Sequence, residues 1–112
     1  MNLLSVQKQA LAKIMMEIIA ADDEVDREEE RYLEQIQSSL KISLKDIQSS
    51  TEMELTTCLE ALNELSEMDK FSVGVILHEM VYADGSAHPE EEKVLKFVCE
   101  GANIDLPKTT SY

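Results

Sequence analysis

The sequence predicts an all-α protein: a single helical bundle of about six helices with an internal two-fold repeat of helical hairpins. Three observations carry this. Apolar residues recur three and four apart along most of the chain, the period of one helix face. Only three Gly and two Pro interrupt the 112 residues, and aromatics are 4%, so the core rests on Leu, Ile, Val, Met and Ala. The chain also repeats itself with an offset of 62 residues.

The first helix is expected from about Leu3 to Ala21, with Leu4, Leu11, Ile14, Met15 and Ile18 as its stripe. It ends in the acidic segment Asp22-Asp23-Glu24-Val25-Asp26. Asp26 suits the N-cap of the second helix and Glu29 its capping-box partner; Tyr32, Leu33, Ile36 and Leu40 form the stripe. A short third helix spans about Leu44 to Ser49, capped by Ser43 with Asp46 three residues on. The fourth follows Thr51, with Glu54 in the capping-box place and Leu55, Cys58, Leu59, Leu62 and Leu65 buried. The fifth runs from about Lys70 to Ala83 after an Asp69 cap. Val73, Val75, Ile76, Leu77, Met80 and Val81 leave it little polar face, which predicts a central, buried helix despite Gly74. The sixth opens at Pro89, carries Val94, Leu95 and Val98, and ends at Gly101 or Asn103.

The repeat relates residues 11–44 to 73–106 and leaves a frayed tail at 107–112. Ala21-Asp22 returns as Ala83-Asp84, Glu28-Glu29-Glu30 as Glu90-Glu91-Glu92, and Leu33 as Leu95. Leu11, Ile14, Met15 and Ile18 return as Val73, Ile76, Leu77 and Met80. Two hairpins, each unable to bury its apolar face alone, are expected to share one core. The length suits one domain over residues 1–112, able to bury about two thirds of its unfolded surface.

The formal net charge is −13, which disfavours nucleic acid and anionic membrane surfaces and leaves cations or a basic protein partner. The same acids also serve solubility. No stretch reaches the roughly 18 apolar residues of a membrane span, and the N-terminal residues lack the pattern of a signal peptide, so a cytoplasmic location is expected. Cys58 and Cys99 stand among apolar residues, outside any CxxC pair, as two buried reduced thiols would.

No catalytic signature emerges, and a non-enzyme is expected. His78-Glu79 begins like a zinc-protease HExxH helix, but its fifth position holds Tyr82. His78 reads as a partly buried helix residue and His88 as a loop or cap residue. No Gly-rich phosphate loop exists, and neither cysteine has an electropositive setting.

The acidic loops are the candidate site. Asp22 is followed seven residues later by Glu29, and Asp84 by Glu91. A loop carboxylate and one from the following first turn can converge on Ca²⁺ or Mg²⁺, which want oxygen ligands. Ordinary capping and helix-dipole chemistry accounts for the same acids without metal. An EF-hand is excluded: its sixth and twelfth loop positions, Gly and Glu, fall here on Arg27 and Leu33, or on Pro89 and Leu95.

The segments running from Ala21 to Glu29 and from Ala83 to Glu91 resemble the paired "ADG…(P)EE" loops of the TerB-like family, which includes tellurite-resistance TerB proteins and the N-terminal domain of DjlA-type co-chaperones. The resemblance covers about residues 10 to 106. It implies a repeated helical bundle in a bacterial, cytoplasmic stress-response protein that acts with protein partners and catalyses no reaction. It also implies a divalent-cation site at Asp22 and Glu29 in the first copy and Asp84 and Glu91 in the second. The first loop departs from the family in holding Asp23 where Gly is usual; the second has His88 at the cap.

Overall fold

The computed structural model describes residues 1–21, 27–83, 85 and 88–105. Among these residues there are six α-helices and no strand: α1 (Ser5–Ala20), α2 (Arg27–Leu40), α3 (Leu44–Ser50), α4 (Leu55–Asn63), α5 (Glu67–Val81) and α6 (Pro89–Ala102). The expected tail at 107–112 lies outside the described residues.

The repeat is written into the element boundaries. α1 and α5 both begin at positions 62 residues apart, and α2 and α6 both begin and end so. Both α2 and α6 stop at a left-handed residue, Lys41 and Asn103, each with φ 57°. Beyond each, an isoleucine N–H reaches back five residues: Ile42 to the Gln37 carbonyl at 2.9 Å and Ile104 to that of Cys99 at 2.8 Å. That bond satisfies a carbonyl the helix end would otherwise orphan. Ile42 and Ile104 are themselves buried.

The equivalent starts of α1 and α5 use complementary halves of a capping box. At α1 the Gln7 side chain accepts from the Leu4 backbone N–H at 2.9 Å. At α5 the Ser66 hydroxyl accepts from the Asp69 N–H at 3.1 Å. Helix α5 therefore starts three residues before the expected Lys70, because Ser66 and not Asp69 takes the cap. Thr51 likewise does not open α4. Its hydroxyl donates to the Gln48 carbonyl at 2.7 Å and closes α3, and α4 starts after Glu54. Ser43 caps α3 as the sequence predicts, accepting from the Asp46 N–H at 3.1 Å.

The core sits around α1, which touches each of the other five helices. Ala10, Leu11, Ala12, Ile14, Met15 and Ile18 are fully buried, so α1 is apolar around most of its girth. Helix α5 shares this centre only in part. It packs on α1, α2 and α6 through Val73, Leu77, Met80 and Val81, while Met68 and Phe71 face outward. The expectation of a central, buried α5 is thus corrected: α1 holds the middle, and the apolar residues of α5 fall on two faces of which the bundle covers one. Helix α6 lies against α4 at Gly101, where an added methyl would stand 2.6 Å from Leu59 Cδ1. Cys58 and Cys99 are both buried free thiols.

Candidate functional site

Helices α2 and α6 each follow one of the acidic segments in the sequence. In α2 the positions 29, 33, 36 and 40 share one face by helical spacing, and in α6 the positions 91, 95, 98 and 102 do. The three C-terminal members of each row are apolar: Leu33, Ile36 and Leu40, and Leu95, Val98 and Ala102. The first member of each is a glutamate in the first turn. Glu29 is 1% exposed and Glu91 is 0% exposed, although their neighbours Glu28, Glu30, Glu90 and Glu92 are exposed. The structure therefore separates one acid from each Glu-Glu-Glu run and buries it at the N-terminal end of the apolar row, which is half-buried in α2 and buried in α6.

Two physical terms act on such a carboxylate. Burial raises the cost of its charge, which must be met by polar groups or ions nearby. The N-terminus of its own helix offers oriented N–H groups and a favourable dipole. Glu29 and Glu91 both interact with other groups of the chain, as do Glu28 and His88. His88 is the N-cap residue of α6 and precedes Pro89 at the first helical position. Gly85 lies just after α5, in the left-handed region with φ +84°, its N–H donating to the Tyr82 carbonyl at 3.0 Å. No heavy atom would meet a Cβ there within 4 Å, so the backbone, not crowding, calls for glycine.

Asp22 and Asp84, the loop members of the predicted pairs, lie outside the described residues, as does the expected Asp26 cap. Among the described residues no three His, Cys, Asp or Glu side chains come together to hold a metal ion. Glu29 and Glu91 each supply one carboxylate, the hard oxygen donor that Ca²⁺ and Mg²⁺ prefer.

Other candidate chemistry is quiet. A groove of about 360 Å³ runs beside the first turn of α6, with Ile14, Ala21, Leu55, Glu90, Lys93 and Phe97 among its walls. Lys93 pairs there with Glu90 at 3.4 Å. The Cys99 thiol is pushed up to about 11 by burial, and burial raises Cys58 as well, the reverse of a nucleophile's setting. His78 is half-buried and its ring stands 4.6 Å from that of Tyr82, the residue that replaces the second histidine of an HExxH helix.

Sequence reasoning missed the outer face of α5. Met68 and Phe71 are 82% and 62% exposed, and the signal was present in their three-and-four spacing with Val75 and His78. No helix among the described residues is long and apolar enough to cross a membrane. No family model matches the chain, and the comparisons with curated proteins and with solved structures return no match.

Proposed function

We propose that this chain is a non-catalytic accessory protein of TerB-like, stress-response type, whose two acidic loops each take a divalent cation. The observation that carries the reading is the burial of Glu29 and Glu91 at repeat-equivalent positions, while the acids on either side stay in solvent. A pattern kept twice at the same depth fits a site better than it fits solubility. The proposed ligands are the carboxylates of Asp22 and Glu29 in the first site and of Asp84 and Glu91 in the second, oxygen donors suited to Ca²⁺ or Mg²⁺. The helix N-termini oppose a nearby cation, since their dipole already favours the carboxylates. Binding is therefore weak, with a Kd of about 10⁻⁴–10⁻³ M.

The test is titration of the isotopically labelled protein with Ca²⁺, Mg²⁺ and Zn²⁺, followed by NMR and calorimetry. Saturable shifts confined to residues 21–30 and 83–92 are expected, lost in Glu29→Gln with Glu91→Gln and in Asp22→Asn with Asp84→Asn. Small unsaturable shifts over the whole acidic surface would make the loops plain helix caps. A second reading, a metal-independent interaction module, is favoured by one separate observation: the exposed apolar face of α5.

A further inference from the structure

Met68, Phe71, Val75 and His78 recur along α5 three, four and three residues apart, and Tyr82, the residue that caps the helix at its C-terminus, follows four further on. That is the a/d seam of a helix built to meet another helix. Met68 is 82%, Phe71 62% and Tyr82 38% exposed, with Val75 and His78 half-buried between them. The opposite side of the same helix, Val73, Leu77 and Met80, is fully buried in the core. Helix α5 therefore has two apolar faces, and the bundle covers one.

The rim of the exposed face is acidic. Glu67 and Glu79 flank the seam on either side by helical spacing, and Glu64 precedes it; all three are exposed. At its C-terminal end the Tyr82 hydroxyl donates to Glu92 at 3.1 Å, and the Tyr32 hydroxyl donates to Glu79 at 2.9 Å. Lys70, the lysine of α5, offsets one of these charges, that of Glu67, and leaves Glu64 and Glu79 unmatched by any lysine of the helix. Lys70 is only 8% exposed and donates to the Asn63 side chain at 3.1 Å, with Glu67 at 3.9 Å.

We propose that this face docks a basic amphipathic helix of a partner protein, one carrying apolar side chains three and four residues apart between rows of Lys or Arg. The seam supplies the apolar anchors of helix-to-helix recognition, with Phe71 and Tyr82 as the aromatic ones. The acidic rim selects the charge of the partner. A second copy of this chain fits poorly: two α5 seams laid together set glutamate against glutamate, on chains each carrying a net charge of −13. An anionic membrane is repelled for the same reason.

The surface is independent of the loop cations, so the experiment runs with the full chain in chelator. The probes are synthetic helical peptides with Leu at a and d positions: one with Lys at the flanking positions, one with Glu there, and one with the Lys peptide's composition scrambled. NMR shifts on the labelled protein are expected from the Lys peptide alone, centred on residues 67–82. Met68→Ser with Phe71→Ser weakens binding by more than about tenfold, with the circular dichroism spectrum unchanged because both side chains are exposed. Glu67→Lys with Glu79→Lys reverses the preference toward the Glu peptide without touching the apolar seam. Equal binding of the scrambled peptide, or shifts spread over the whole surface, would overturn the proposal. So would self-association of the wild type that Phe71→Ser abolishes, which would give the face to a second copy.

Discussion

Cys99 shows how a single buried group ties stability to pH. Its thiol is pushed from the ordinary 9.0 to about 11 by burial beside the α4–α6 contact. A group whose folded pKa is raised holds its proton more tightly when folded. The stability it adds is fully present below about pH 9 and is lost as pH rises through about 11. Tyr32 acts in the same direction, raised by burial first and then by its hydrogen bond to Glu79. The thermal midpoint is therefore expected to fall between pH 9 and 11, as scanning calorimetry would show, with Cys99→Ala less stable at neutral pH but flatter over that window. A Cys99→Ala profile as steep as that of the wild type would place the alkaline transition elsewhere. This burial was legible in the sequence, because Leu95, Val98, Cys99 and Ala102 share helical spacing and all four are buried. Burial of Glu29 and Glu91 was not. They occupy the same kind of row, but a carboxylate in a first turn satisfies the rules for a cap, and local rules do not record depth.

At the scale of elements, equivalent helices end alike but at different cost. Lys41 and Asn103 both take the left-handed conformation that closes α2 and α6. Asn tolerates that conformation, and Asn103 adds a hydrogen bond from its side chain to Asn63 at 2.9 Å. Lys tolerates it poorly, at a penalty of roughly 1–2 kcal/mol, and Gly relieves that penalty while losing some entropy on folding. Lys41→Gly should therefore stabilise the protein by up to about 1 kcal/mol. Asn103→Gly should not, since it gives up the tie to Asn63 for no release of strain. Urea unfolding of the two variants checks this; equal shifts would mean that the left-handed residue is not what limits α2. Asn103 is legible in the sequence as a helix stop and Lys41 is not, because lysine carries no turn signal of its own. The starts of α4 and α5 are hidden in the sequence for a related reason. Thr51, Ser66 and Asp69 all suit a cap, and only the path of the backbone decides which of them is used.

At the scale of the molecule, periodicity and the 62-residue repeat made the six-helix bundle readable, whereas the centre was misjudged. The apolar residues of α5 record that the helix has two apolar faces, not that both meet this core. The same limit applies to charge: a net −13 is plain in the sequence, but its energetic effect depends on how closely the fold gathers it. The described residues measure 37 × 29 × 24 Å. At about 0.01 M salt the screening length is about 30 Å, so every acid feels nearly every other; at about 0.15 M it is about 8 Å, and only neighbours interact. Unfolding spreads the charges apart, so repulsion at low salt acts against the compact state. Raising NaCl over that range should raise the thermal midpoint by several degrees, where about 4–8 °C corresponds to about 1 kcal/mol for a domain near this size. Ca²⁺ at matched ionic strength separates general screening from a loop site. General screening gives the same midpoint as NaCl in the wild type and in Glu29→Gln with Glu91→Gln. A loop site instead gives an added rise in the wild type that the double variant lacks, because an ion that binds only the folded chain stabilises it by mass action.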